Sequence, residues 1–237
     1  MGIPPIRPYP MPTEADLPPS VPSWRPDPGR ALLLIHDMQR YFVDMFPAGE
    51  SPRVELLAHV DLIRRAAHEL RIPVVYTVQP GRMGRRRRGL LFDFWGPGMG
   101  TDPAVREITP EVGPGPDDLI VVRHRYSAFH DSRLAQILQT HQRDQLVICG
   151  MYAHVGCLIT AADAFSRDIQ PFLVADAVAD FTAGDHRMAL DYAGRTCAVI
   201  LTTGRLLATL CPGIAVSAEL LGPPTGLLLD DPGQLHP

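Results

Sequence analysis

Short, nearly unbroken apolar runs alternate along this chain with segments of helical periodicity, and that alternation constrains the fold more than any other feature. The runs are Ala31 to His36, Pro73 to Val78, Leu119 to Arg123, Gln145 to Gly150, Pro171 to Ala175 and Ala198 to Thr202. Most lack the in-and-out alternation of a half-solvated strand, so they read as strands covered on both faces. Between them, Arg53 to Leu70, Ser132 to His141, Val155 to Arg167 and His186 to Arg195 carry apolar residues at helical spacing. Asp131 stands where an N-cap would start the second of these helices, and Asp131-Ser132 reads as a cap rather than a carrier-protein attachment site. Strand and helix units of this size predict an α/β domain with a mostly parallel, doubly wound, six-stranded sheet.

The 237 residues suffice for one such domain. Residues 1–30 are proline-rich, which excludes a helix or a central strand and predicts an extended arm lying on the domain. The domain itself spans 31–210. Residues 211–237 return to Pro/Gly punctuation and read as a tail. No apolar run approaches the roughly 20 residues that span a bilayer, and no secretory leader is legible at the N-terminus. A net charge of −4 gives no general affinity for nucleic acid or anionic membranes. Cys149, Cys157, Cys197 and Cys211 show neither metal-ligand spacing nor a disulfide framework, so the expected compartment is the reducing cytoplasm. All 22 basic residues are arginine, which rules out lysine chemistry.

In open parallel sheets, ligands bind outside the carboxyl ends of the strands. Asp37 follows the first run and Gln79 the second; Arg123 ends the third, and Met151-Tyr152 follow the fourth. Singly, each is as readily a helix cap, a turn or a surface charge. Jointly, they converge on one crevice. Arg82 and Arg85 to Arg88 repel one another and predict a solvated loop, from which one guanidinium can hold a carboxylate bidentately. Cys157 suggests a second chemistry, that of a cysteine amidohydrolase, because a helix N-terminus activates a thiol. Its alternative is a small hydrophobe packed within the helix.

The stretches Leu32 to Phe42 (LLLIHDMQRYF), 76–81 (YTVQPG), 88–99 (RGLLFDFWGPGM), 125–132 (RYSAFHDS), 150–181 and 186–193 (HRMALDYA) resemble the isochorismatases. The likeness runs in unbroken order over roughly residues 3 to 205. Within that family the chain is most similar to single-domain enzymes of phenazine pathways, which act on 2-amino-2-deoxyisochorismate; no aryl-carrier domain is read after it.

The resemblance implies a Rossmann-like, three-layer α/β/α fold, a homodimer, no cofactor or metal, and hydrolysis of the vinyl ether of a small dicarboxylate with release of pyruvate. It places the catalytic acid on Asp37, with Arg123 beside it. It assigns substrate contacts to Gln79, Arg88, Trp95, Tyr152 and Gly156, and a cis peptide to Met151-Tyr152. Backbone amides near Val155 are expected to help Arg88 anchor the carboxylates. Related amidohydrolases carry their nucleophilic cysteine at the position of Gly156, and Cys157 falls one residue later. One departure stands out: the family usually has lysine where this chain has Arg123. Beside the ether hydrolase, two readings stay open: a cysteine amidohydrolase using Cys157, and a binding protein that lost turnover through Arg123.

Overall fold

Strand β1 (Ala31–His36) is buried at every position, as a Leu/Ile run in the middle of a sheet requires. It pairs in parallel with β2 (Val74–Val78) on one side and β4 (Gln145–Met151) on the other. The edge strand β3 (Leu119–Val122) lies beyond β2, and β5 (Gln170–Ala179) and β6 (Val199–Leu201) lie beyond β4. The order β3-β2-β1-β4-β5-β6, parallel throughout, is the doubly wound arrangement whose crevice opens between β1 and β4. This computed structural model describes residues 2–212, so the expected tail lies outside the described residues from 213 onward.

The helices are α1 (Arg40–Val43), α2 (Arg53–Glu69), α3 (Arg85–Arg88), α4 (Leu91–Trp95), α5 (Pro103–Arg106), α6 (Leu134–Thr140), α7 (Leu158–Phe165), α8 (Ala183–Thr196) and α9 (Thr203–Leu210). Side chains of β1 alternate between two cores. Leu33 and Ile35 meet Leu56, Val60, Ile63 and Ala67 of α2 and Leu206 and Leu210 of α9. Leu32 and Leu34 meet the apolar faces of α6, α7 and α8 on the other side. Together they make three layers.

The arm is more than a surface strap. Ile6, Tyr9 and Met11 are buried in the α2 core, and the backbone of Val21 donates to Gly194 of α8 at 3.0 Å. Among the described residues no helix is long and apolar enough to cross a membrane.

Two local expectations fail. Helix α6 starts at Leu134, not Ser132. Asp131 has a left-handed backbone (φ 51°), and the Ser132 hydroxyl, not Asp131, accepts the Leu134 amide at 3.1 Å. Strand β5 runs on past Ala175 to Ala179, because Asp176, which reads as a stop in an apolar run, is buried and bonded to α9. The β4–β5 register also shifts between Ile148 and Gly150. Gly150 (φ 105°) permits that irregularity, since a Cβ there would stand 2.2 Å from the His36 carbonyl oxygen.

Candidate active site

The carboxyl ends of β1, β2, β3 and β4 deliver Asp37, Gln79, Arg123 and Tyr152 to one cleft, which α3 and α4 cover with Arg88 and Trp95. Gly156 completes the floor, so all seven residues singled out in the sequence line the same cavity. Its lining combines the charges of Asp37, Arg88 and Arg123 with the rings of Trp95, Tyr152 and Phe181, as suits a polar small-molecule ligand.

Asp37 is 1% exposed and has a left-handed backbone (φ 51°). Its Oδ1 accepts from Arg123 Nε at 2.8 Å and from the Thr77 hydroxyl at 2.8 Å. Its Oδ2 accepts from Gln79 Nε2 at 2.9 Å and from the second arm of the Arg123 fork. A carboxylate offers about four acceptor positions, so this one is filled. Burial pushes the Asp37 carboxyl up. The Arg123 charge, with hydrogen bonds from Arg123 and Gln79, outweighs that and holds it below the usual range. The free protein therefore carries Asp37 as an ion-paired carboxylate.

Arg88 alone of its arginine cluster is buried, at 5% exposure, while Arg82 and Arg85 to Arg87 face solvent. Its Nε donates to the Gly96 carbonyl, and its Nη1 is buried without a partner. A desolvated guanidinium N–H beside a cavity is a receptor for an anion. The amides expected to assist it are already committed. Val155, Gly156 and Cys157 all donate to the Tyr152 carbonyl in a π-helical turn, and His154 donates to Asp180 at 2.6 Å. Those four amides are not free to hold an anion.

The walls are aromatic. Tyr152 packs at a tilt against Phe181 with 4.5 Å between centroids, Trp95 packs on Phe181 at 5.7 Å, and Trp95 Nε1 donates to the Tyr126 hydroxyl at 2.7 Å. The Met151–Tyr152 peptide is cis. Cys157 sits fully buried in the core on the α7 and α8 face, where burial pushes its thiol far above the reactive range.

Sequence reasoning passed over several residues that hold this geometry. Gln39 donates to the backbone carbonyls of Gln79 and Arg106 and accepts the Gln79 amide. Asp180 caps the π-helical turn and also bonds the His154 ring at 2.7 Å. Thr77 was hidden inside an apolar run. A second aspartate in the otherwise apolar stretch 171–181 was the available signal for Asp180.

An open parallel sheet with a buried, cation-bound carboxylate at its switch point, walled by aromatics, is built as a small-molecule site. The chain belongs to the isochorismatase family: residues 31–205 match the model of the isochorismatase domain. It is 53% identical over 206 residues to the phenazine biosynthesis protein PhzD1 of Pseudomonas aeruginosa, covering 87% of this chain and 99% of that protein. An isochorismatase of Bacillus subtilis is 51% identical over 207 residues, 87% of this chain and 66% of the relative. Among solved structures, a cysteine hydrolase from Pseudomonas syringae pv. phaseolicola superposes with a TM-score of 0.70 at 21% identity, over 81% of this chain and 99% of that one. That likeness shows the fold alone.

Proposed function

We propose that this chain hydrolyses the enolpyruvyl vinyl ether of 2-amino-2-deoxyisochorismate or isochorismate, with the amino compound preferred. The products are pyruvate and a dihydro-hydroxyanthranilate or dihydro-dihydroxybenzoate. The observation that carries this reading is a single buried carboxyl, Asp37, held against a cation in an aromatic-walled cavity that is also lined by Arg88, whose buried Nη1 has no partner. The likeness to PhzD1 supports the amino compound.

A vinyl ether resists water until its terminal methylene carbon is protonated. Asp37 delivers that proton and leaves an oxocarbenium ion. Water adds to the cationic carbon, its surplus proton returns to Asp37, and the hemiketal collapses to pyruvate and an alcohol. Arg88 binds substrate carboxylate, Gln79 and Gly156 contact the ring, and Trp95 and Tyr152 exclude water. Arg123 orients Asp37. Because Asp37 is ionised in the free protein, it must take up its proton in the complex, where a dianionic substrate and lost water raise its affinity for one. The protein works as a cytoplasmic homodimer in this reading, and its free thiols fit a reducing compartment.

A second reading, a pocket that binds without turning over, is favoured by the Arg123 fork, which fills Asp37 completely. Pyruvate release by the pure protein from each substrate separates the two. In Asp37→Asn, release falls by about 10² to 10⁴-fold while substrate affinity stays within a few-fold. Undiminished turnover in that variant takes the acid role away from Asp37.

A further inference from the structure

Gly156 lies against His36 more tightly than any side chain could. A Cβ at position 156 would stand 2.3 Å from His36 Cε1, 2.9 Å from Nδ1 and 3.0 Å from Nε2. The ring has little room to yield. It is fully buried, Nδ1 is 3.0 Å from the Met151 carbonyl oxygen, and Nε2 is 3.5 Å from Thr160 Oγ1. A carbonyl only accepts, so the tautomer that makes this bond has its proton on Nδ1, which also stands 3.7 Å from Asp37 Oδ1. The Thr160 hydroxyl, which accepts the Ala128 amide at 2.9 Å, and the Tyr126 carbonyl also face the ring. The imidazole thus ties three chain segments together beneath the cavity floor: the end of β1, the Met151–Tyr152 peptide and α7.

We propose that His36 is a positioning residue for this site: its ring reserves the floor against any side chain at position 156, and its Nδ1–H fixes the Met151 carbonyl, so that Gly156 and Tyr152 face the substrate in one arrangement. His36 does not line the cavity and moves no proton. Burial supports that passive role by pushing its pKa down to about 4, which leaves the ring neutral at working pH. The same contact bears on which chemistry the cavity can host, because a nucleophilic side chain at 156 and an imidazole at 36 need the same space. The activity arm of the test rests on the function proposed above; the packing claim does not.

The test is a double-mutant cycle of Gly156→Ala and His36→Asn, with His36→Leu as a third background. Asparagine keeps an N–H for Met151 and vacates the ring volume; leucine fills volume and offers no donor. In the parent protein, Gly156→Ala lowers kcat/KM for pyruvate release by about 100-fold. In the His36→Asn background the same change costs about threefold or less. His36→Leu lowers kcat by about tenfold with little change in KM. An equal penalty for Gly156→Ala in both backgrounds, or full kcat in His36→Leu, overturns the proposal. Thermal midpoints are read on the same proteins. If the parent releases no pyruvate from either substrate, the functional reading fails on its own. The midpoints then decide the contact: Gly156→Ala lowers the midpoint only where His36 is present, and equal shifts in both backgrounds overturn it.

Discussion

Arg123 brings two N–H groups to Asp37 in a rigid fork, Nε to Oδ1 and Nη2 to Oδ2, and Thr77 and Gln79 take the positions that remain. A proton aimed at carbon needs one of those positions free. A lysine ammonium is a point charge on a flexible stem and can stabilise the carboxylate without spanning both oxygens. Arg123→Lys is therefore expected to keep or raise kcat, by up to about tenfold, in a steady-state pyruvate assay. Complete loss of activity would show that the fork has a task of its own, such as holding the 125 carbonyl that Nη1 contacts. The convergence of Asp37, Gln79, Arg123 and Tyr152 was legible from strand ends alone. That Arg123 would saturate Asp37 was not, because the number of hydrogen bonds between two side chains depends on angles no spacing encodes.

Element boundaries show where a local pattern competes with tertiary bonding. Asp176 interrupts an apolar run and marks a strand end by every local rule, yet β5 continues through it. Its Oδ1 accepts both the amide and the hydroxyl of Thr203, at 2.7 and 2.8 Å, and so ties the first turn of α9 to the sheet. Burial raises its pKa, with His59 and those hydrogen bonds pulling the other way. The carboxylate is therefore costly to bury and costlier to remove. Asp176→Ala should lose about 2 kcal/mol in urea unfolding, since it leaves a buried amide and hydroxyl unpaired; an unchanged midpoint would mean that α9 is held by Leu206 and Leu210 alone. The π-helical turn after β4 is a similar case. Its sequence reads as an ordinary helix start, but Asp180, brought from the end of β5, takes the His154 amide, and three further amides close on Tyr152. The amides expected from the sequence to bind an anion are taken by the Tyr152 carbonyl, and the His154 amide by a residue 26 positions away.

For the molecule as a whole, two buried histidines set the response to acid. Burial holds His36 near 4 and lowers His186. A group whose pKa is depressed by folding binds protons more readily in the unfolded chain, so its contribution is complete above about 6.5 and falls as pH drops toward the folded value. His154, raised by its hydrogen bond to Asp180, and Asp176, raised by burial, act in the opposite sense. His154 is a quarter exposed, which weakens its share. The net expectation is a loss between pH 7.5 and 5.5, about 1 kcal/mol from His36 alone, read as a lower urea midpoint at the acid end. A flat or rising midpoint would mean that His154 and Asp176 outweigh the two buried rings. The sequence by itself determined the layered α/β plan, because unbroken Val/Ile/Leu runs between amphipathic segments can bury both their faces in only one way. It also determined which polar groups meet, because parallel strands deliver their carboxyl ends to one edge. Only the tertiary structure decided how fully Arg123 fills Asp37, which amides remain free and what space lies beside Gly156. Those depend on distances between segments remote in the chain, where a few tenths of an ångström separate a contact from a clash.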